Sequence, residues 1–267
     1  MPVKLPTREI AKVWGRDDLP MPFTKQRDQR IGEIWYEPHP ELPDLLVKYL
    51  FTSEKLSVQV HPRASDAKAG EVGKEECWLV LDAQPGAQLA IGFKNELTSE
   101  AVRKAALDGS IEQLLSWHDA KAGDVFYLPA GTVHAIGPGL SLVEVQQNSD
   151  TTFRLFDYGR PRELHLDRAI AVAETGPYSA FHKSAAGQNG SLLAKGPHFR
   201  FDRVQGAPDA DLLNTYSGKL LALPISGELL ADGGARAVSG ECLYAPDISA
   251  INFARAGVTL LTRPVLG

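Results

Sequence analysis

The chain has 267 residues, of which 43% are hydrophobic and 23% charged, with a formal net charge of −5. No long basic run is present, which argues against nucleic acid or an anionic membrane surface as a partner. Two distant cysteines, Cys77 and Cys242, suit a reducing compartment. The first residues carry no signal-peptide pattern, and no apolar run is long enough to cross a membrane. We therefore expect a cytoplasmic protein.

Short apolar runs separated by glycine and proline predict a mainly β protein. Many short strands with turn residues between them favour a β-sandwich or barrel. The predicted strands of the first two thirds of the chain are 30–38, 44–52, 56–62, 77–83, 87–93, 125–131, 140–147 and 151–159.

Two segments have helical rather than strand periodicity. Residues 98–119 begin with Thr98 or Ser99 as the N-cap, and Gly109 is expected to divide the segment into two short helices. A further short helix is predicted over 164–174.

The composition also predicts two domains. Residues 176–198 are rich in Gly, Ser, Ala and Lys, which indicates a connector, and short strand patterns resume after it. The expected organisation is an N-terminal domain over 1–175 with its helical insertion at about 98–119, the connector, and a smaller all-β domain over 199–267.

Two segments share a spacing that indicates an internal duplication. Residues 123–129 (GDVFYLP) and 240–246 (GECLYAP) both place a strand within the pattern G-x5-P. The first copy continues to His134, whereas the equivalent position of the second copy is Ile251. A duplication in which one half kept a polar site and the other lost it would have this form.

The stretch KLSVQVHP (55–62) suggests a polar strand face. Its Leu and Val residues alternate with Ser57, Gln59 and His61, which predicts a strand with one apolar and one polar side. The polar side lies either in water or in a cavity, and the stretch alone leaves both open.

Histidine, glutamine and glutamate side chains near these strands could form a metal site. Two imidazoles from His61 and His134, one carboxylate and the oxygen of Gln59 make a four-ligand N/O set that suits zinc. Gln59 and His61 are two residues apart and share a strand face. The spacing does not distinguish Glu75 from Glu76 as the carboxylate.

Several segments of the sequence resemble a known family. Residues 123–134 (G-x5-P-x-G-x2-H) resemble the second motif of the cupin superfamily. The segments LSVQVHP, GKEECW, LPAGTVHAIG, VEVQQNSDTTFRLFDYGR and RELHLDRA resemble, in the same order, type I mannose-6-phosphate isomerases of the short bacterial form. The resemblance is specific from about residue 44 to 175. The N-terminal part is shorter than in larger members, and the C-terminal third resembles only a degenerate second cupin without metal ligands.

The resemblance implies a fold, a cofactor and a reaction. The fold is two cupin-type jelly-roll β-sandwich domains with a small helical insertion. One divalent ion per chain, normally Zn²⁺, is held by Gln59, His61, Glu76 and His134, which selects Glu76 over Glu75. The reaction interconverts mannose 6-phosphate and fructose 6-phosphate through a cis-enediol(ate).

The resemblance also implies roles around the metal. Lys74, Glu144 and Arg154 are the expected catalytic residues, and the expected substrate-binding residues are Lys48, Ser57 and Asp150. Asp150 could orient Arg154, line the rim of the site or serve in a turn. Glu144, Lys74 and a metal-bound water all stay open as the general base, and the group that binds the phosphate also stays open.

Three other functions are alternatives to this reaction. The same chemistry could act on free mannose or another hexose, and loss of phosphate-binding cations would favour this. A non-enzymatic cupin could bind a sugar phosphate or a metal, but it has no need for Lys48, Lys74, Glu144 and Arg154 together. A cupin dioxygenase would place more histidine around iron. The oligomeric state is open.

Overall fold

The structure is a computed structural model that describes residues 1–67, 72–178, 183–185 and 191–265. Parts of the predicted connector, residues 179–182 and 186–190, lie outside the described residues.

Strands dominate the described part of the chain, with four short α-helices among them. In chain order the elements are β1 (Val3–Lys4), β2 (Thr7–Arg16), β3 (Ile31–Tyr36), β4 (Leu45–Phe51), β5 (Val58–Val60), β6 (Glu76–Ala83), β7 (Gln88–Phe93), α1 (Ser99–Asp108), α2 (Ile111–Leu114), β8 (Leu115–Asp119), β9 (Asp124–Leu128), β10 (His134–Ile136), β11 (Leu140–Gln147), β12 (Phe153–Phe156), α3 (Leu166–Val172), β13 (Lys183–Ala185), β14 (Ser191–Lys195), β15 (Phe199–Gln205), α4 (Ala210–Thr215), β16 (Leu220–Pro224), β17 (Glu228–Ala231), β18 (Arg236–Val238), β19 (Leu243–Ala245), β20 (Ile251–Asn252) and β21 (Val258–Pro264). No helix in the described ranges is both long enough and apolar enough to cross a membrane.

The strands form four antiparallel sheets. The first sandwich pairs a five-stranded sheet (β12-β5-β10-β7-β8) with a seven-stranded sheet (β13-β9-β6-β11-β4-β3-β2). The second pairs a six-stranded sheet (β1-β19-β16-β21-β15-β14) with a three-stranded sheet (β18-β17-β20). The mainly β fold with two sandwiches and a few helices is thus confirmed.

Strand β4 (LLVKYLF) shows how the layers are joined. Because successive side chains of a strand point to opposite faces, Lys48 and Leu50 face the interior of the first sandwich, where Leu50 packs in one cluster with Trp78. Tyr49 faces the other way and packs in a cluster that includes Phe201 of the six-stranded sheet. The strand is buried on both sides, and the seven-stranded sheet lies between two apolar layers.

The first strand of the chain belongs to the second sandwich. Strand β1 pairs with β19, with Val3 opposite Tyr244, and the Tyr36 hydroxyl donates to the Gly240 carbonyl at 2.6 Å. Strand β13, within the predicted connector, pairs with β9 of the seven-stranded sheet. The boundaries at 175 and 199 stay a prediction.

The helical segment is shorter than the sequence suggests. Helix α1 has Thr98 as its N-cap and ends at Gly109, whose φ is +80°, as expected. Residues 115–119, however, form β8 and pair with β7, with Trp117 opposite Ala90. Sheet pairing there overrides a sequence that also suits a helix. The sequence patterns also missed β2 and α4.

The proposed duplication has parallels in the backbone. Gly123 and Gly240 both have a positive φ, +90° and +85°, and each precedes a strand that runs towards the second turn residue. His134 begins β10, and Ile251 begins β20. The two copies thus place their equivalent positions at the first residue of a short strand.

Candidate metal and active site

The interior of the first sandwich is apolar at one end and polar at the other. Leu89 and Leu142 pack in the apolar end. The polar end is a cavity of about 310 Å³ between the seven-stranded and five-stranded sheets. The residues that the sequence assigned to the site and that line this cavity are Lys48, Ser57, Gln59, Lys74, Glu76, Glu144, Asp150 and Arg154.

His61, Glu76 and His134 form a buried three-residue group that could hold a metal ion. Their ligand atoms all lie within 4.8 Å of one another. His61 Nε2 is 3.4 Å from Glu76 Oε2, and His134 Nε2 is 3.2 Å from Glu76 Oε1. Two ligands bound tetrahedrally to zinc lie roughly 3.3 Å apart, given metal–ligand distances of about 2.0–2.2 Å. The spacing fits such an ion.

The outer nitrogen of each imidazole fixes its tautomer. His61 Nδ1 lies 2.8 Å from the Thr151 carbonyl, and His134 Nδ1 lies 2.9 Å from the Thr132 carbonyl. A carbonyl can only accept, so each Nδ1 carries the proton and each Nε2 keeps its lone pair, which at His61 accepts from Lys74 Nζ at 3.1 Å. Metal-binding histidines are oriented in this way by their second nitrogen.

The protonation states also suit a cation. Burial, with a smaller effect of Lys74, lowers the pKa of His61 to about 3, and burial also lowers the pKa of His134. Burial opposes ionisation of Glu76, but the Lys74 ammonium group outweighs it and holds the Glu76 pKa well below its usual value. Neutral imidazoles and an ionised carboxylate are the forms that bind a metal.

Gln59 adjoins this group on the neighbouring strand. It is the register partner of His134, and its Nε2 lies 3.3 Å from His134 Nε2. Its Oε1 accepts from the Ser57 hydroxyl at 3.1 Å. A half-turn of the amide would turn Oε1 towards the His61, Glu76 and His134 group, where it could hold the ion, and would leave the Ser57 hydroxyl as acceptor for the amide N–H. The position of Gln59 suits a fourth metal ligand, and this role stays a prediction.

The strand pleat separates the two candidate glutamates. Glu76 points into the first sandwich, whereas Glu75 accepts a hydrogen bond from the Tyr127 hydroxyl outside it. In the same way Val58 and Val60 pack against the layer that contains Val102 of α1, while Ser57 and Gln59 line the cavity. The polar side of KLSVQVHP therefore faces a cavity and not water.

Two lysines reach the same cavity from the seven-stranded sheet and the loop before β6. Lys48 Nζ lies 3.1 Å from Glu144 Oε1, and Lys74 Nζ lies 3.2 Å from Glu76 Oε2. Burial raises the pKa of Glu144 to about 7, with the charge of Glu76 adding to the effect and the two lysines opposing it. Although burial disfavours its charge, Lys48 has a raised pKa because Glu144 and Glu33 stabilise the ammonium group. The inner cavity thus holds alternating charges.

Arg154 and Asp150 lie nearer to the opening. Arg154 on β12 is the register partner of Gln59, so both side chains project from the same face of the sheet. Asp150 is exposed at the rim, and the described part of the chain contains no ion pair between it and Arg154.

The sequence patterns missed several cavity residues. Arg8 and Lys12 on β2, Glu33 and Trp35 on β3, and Arg162 after β12 all line the cavity. The alternation in TREIAKVWGR is a usable signal for a strand. Nothing in its charges, however, shows which side faces the cavity.

Comparison with known proteins relates the chain to one group of enzymes. It is 36% identical over 213 residues to mannose-6-phosphate isomerase ManA of Bacillus subtilis (strain 168), an alignment that covers 75% of this chain. The chain spans 65% of the length of that relative. No protein-family model matches the chain.

Solved structures extend the likeness over nearly the whole chain. The mannose 6-phosphate isomerase from Bacillus subtilis superimposes with a TM-score of 0.78 at 24% identity, covering 98% of this chain and 99% of that one. A zinc-bound mannose 6-phosphate isomerase superimposes with a TM-score of 0.69 at 16% identity, covering 99% and 100%. The chain therefore resembles the mannose-6-phosphate isomerases in sequence and has their cupin-like fold.

Proposed function

We propose that this protein is a metal-dependent aldose–ketose isomerase that interconverts mannose 6-phosphate and fructose 6-phosphate. The observation that carries the proposal is the position of the His61, Glu76 and His134 group beside the buried Lys48, Lys74 and Glu144 in one cavity. A protein that only binds a metal has no use for these additional buried charges, which are costly to remove from water. The relatives support the choice of substrate.

The metal would be a single Zn²⁺ held by His61, Glu76 and His134, with Gln59 as fourth protein ligand. When bound, it supplies a Lewis acid that polarises the carbonyl of the open-chain sugar and stabilises negative charge on its oxygens. A zinc-bound protein of the same fold supports this assignment.

Glu144 is the group that we assign to carry the proton. Its carboxylate removes the proton from C2 of the aldose, which leaves a cis-enediolate. The O2 hydroxyl proton then passes to O1, and Glu144 returns its proton to C1, which completes the ketose. Its raised pKa of about 7 suits proton transfer in both directions near neutral pH.

The cations of the cavity assist this transfer. Lys48, held 3.1 Å from Glu144, orients the carboxylate. Lys74, next to Glu76, and Arg154, next to Gln59, lie where they can donate to the sugar oxygens that become charged. Ser57 and Asp150 would complete the sugar site and its rim.

We also propose a cytoplasmic location. Both cysteines of the chain, Cys77 and Cys242, are free and buried, which suits a reducing compartment.

A coupled assay for fructose 6-phosphate tests the function. Zinc-loaded protein should turn over mannose 6-phosphate, chelator-treated protein should not, and added zinc should restore the rate. The His134→Ala variant should bind zinc weakly and lose activity while staying folded. A folded, fully zinc-loaded wild-type protein without turnover would refute the assignment, and free mannose would then be the next substrate to assay.

A further inference from the structure

The charges of the cavity are unevenly distributed between its inner end and its opening. Among the described residues, six cationic and four acidic side chains line it. At the inner end the side chains of Lys48 and Lys74 are only 6% and 5% exposed, and each has a carboxylate within 3.2 Å. Positive and negative charge are balanced there.

The cationic side chains at the opening are more exposed, and one of them, Lys12, has no close carboxylate partner among the described residues. The side chains of Lys12 and Arg162 are 31% and 28% exposed. Lys12 Nζ is 3.9 Å from Glu33 Oε2, and that carboxylate already accepts from Trp35 Nε1 at 2.6 Å. Lys12 therefore has only a weak partner in the described part of the chain.

Arg154 lies between the two ends and is also incompletely paired. Its Nε is buried without a hydrogen-bond partner, and its guanidinium makes no ion pair with the described residues. Burial lowers the pKa of Lys12, the charge of Glu33 opposes this, and the charges of Lys48, Arg162 and Arg154 lower it further. Burial likewise lowers the pKa of Arg154, and Arg162 adds to the effect. The three cations are thus close enough to repel one another.

Arg162 is held in place from outside the cavity. Its Nε and Nη2 both donate to Asp157, at 2.6 Å each. Asp157 is 2% exposed and also accepts from Arg160 at 3.3 Å, whose other nitrogen reaches Glu54 at 2.9 Å. This bidentate contact fixes the plane of the Arg162 guanidinium and leaves Nη1 unused by Asp157.

We propose that Lys12 and Arg162 form the phosphate-binding subsite of this protein, with Asp157 as the residue that positions Arg162. The proposal rests on the proposed function, in which the substrate is a hexose 6-phosphate. A dianionic phosphate between the two side chains removes the repulsion at the opening and gains charge-assisted hydrogen bonds. With the phosphate at the opening, C1 and C2 of the sugar would point inwards, towards Glu144 and Glu76.

The test separates phosphate binding from chemistry. We expect Lys12→Met and Arg162→Met each to raise KM for mannose 6-phosphate about 10- to 100-fold, which is the loss typical of a hydrogen bond to a charged group. We expect kcat to change less than about threefold, because the groups at the reacting carbons are untouched. Arg162→Lys, which keeps the charge, should recover part of the loss. Arg103→Met is the matched control, since Arg103 pairs with Asp167 on the exposed side of the helical region.

The role of Asp157 has its own readout. Asp157→Asn weakens the bidentate contact that orients Arg162, so it should raise KM and leave kcat and the zinc content near wild type. If the Asp157→Asn variant instead had a lower kcat and an unchanged KM for mannose 6-phosphate, Asp157 would act on the reaction and not on phosphate binding. This outcome would contradict its positioning role in the phosphate subsite.

Calorimetry with a ligand that cannot react distinguishes this proposal from the proposed function. The probes are D-glucitol 6-phosphate and D-glucitol, with thermal unfolding of each variant as the check of folding. Wild-type protein should bind the phosphorylated probe, and Lys12→Met/Arg162→Met should not. Binding with this dependence in a protein without isomerase activity would support the subsite and refute the reaction. Turnover with an unchanged KM in the folded double variant would refute the subsite and leave the reaction standing. Failure of the folded wild-type protein to bind the phosphorylated probe would also refute the subsite.

Discussion

Lys48 and Glu144 are cross-strand partners at the centre of the seven-stranded sheet, and their charged atoms lie 3.1 Å apart with both side chains almost completely buried. Because the pair is buried in the sheet, the stability of the sheet depends on both charges being present. Removing one partner leaves the other desolvated and uncompensated.

The stability of the protein should reflect this pairing. We expect Lys48→Met to lower the free energy of unfolding by about 3–5 kcal/mol, because the Glu144 carboxylate loses its nearest cation. The double variant Lys48→Met/Glu144→Leu should be more stable than Lys48→Met alone. Urea denaturation of zinc-loaded protein measures both. Equal loss in the single and double variants would show that the pair is not coupled.

Catalysis should depend on Glu144 and on its protonation. Glu144→Gln should lower kcat by about 10²–10⁴-fold, the usual contribution of a general base, with little change in zinc content. In the wild type the carboxylate is the active form, so kcat should fall as the pH drops below the raised pKa of about 7. A bound metal cation lowers the pKa of Glu144 and therefore moves this fall in kcat to lower pH. A Glu144→Gln variant with wild-type kcat would assign the proton transfer to another group, with Lys74 as the next candidate.

Zinc affinity should respond to a residue that makes no metal contact. The Ser57 hydroxyl holds the Gln59 amide at 3.1 Å, so Ser57→Ala should weaken zinc binding about 10- to 100-fold, as outer-shell substitutions commonly do. Competition with a chromogenic chelator measures the change. Ser65→Ala, in an exposed loop, is the control. Unaltered affinity in Ser57→Ala would argue against Gln59 as a ligand that Ser57 orients.

Two glycine substitutions separate backbone strain from crowding. Gly131 has a φ of +91°, and a Cβ there would lie 2.8 Å from Arg63 Nη2 and 3.1 Å from the Val172 carbonyl. Gly86 has a φ of +80° with no atom within 4 Å of such a Cβ. We expect Gly86→Ala to cost about 1 kcal/mol of unfolding free energy from φ alone, and Gly131→Ala to cost more. Equal costs in thermal unfolding would show that Arg63 and its surroundings yield freely.

The strand pleat explains why the sequence predicts which residues come together at the inner end of the cavity. A period of two in KLSVQVHP places Gln59 beside the ligand group and Val58 in the opposite layer. The same rule separates Glu75 from Glu76 once the direction of one side chain is known. That direction depends on the packing of two sheets, which the local pattern does not contain, and the resemblance to a family supplied it.

The residues at the opening of the cavity were harder to find. In the sequence, Lys12 and Arg162 look like ordinary charged surface residues. They line the same cavity only because β2 and the turn after β12 meet across the sandwich. Residues 115–119 illustrate a second limit: their apolar spacing suits a helix, and only the free edge of β7 makes them a strand. Contacts between distant parts of the chain determined both outcomes.

The pairing of Val3 with Tyr244 also constrains the order in which the protein can form. During synthesis the metal-binding sandwich emerges first, but the far side of its seven-stranded sheet, with Tyr49 and Phe51, packs in a cluster that includes Phe201 and Leu260. A ribosome-bound chain in which Phe201 and Leu260 have not yet emerged therefore exposes this aromatic surface. We expect nascent chains of this length to be the state most prone to aggregation and most dependent on chaperones, although the finished site would already be encoded in them.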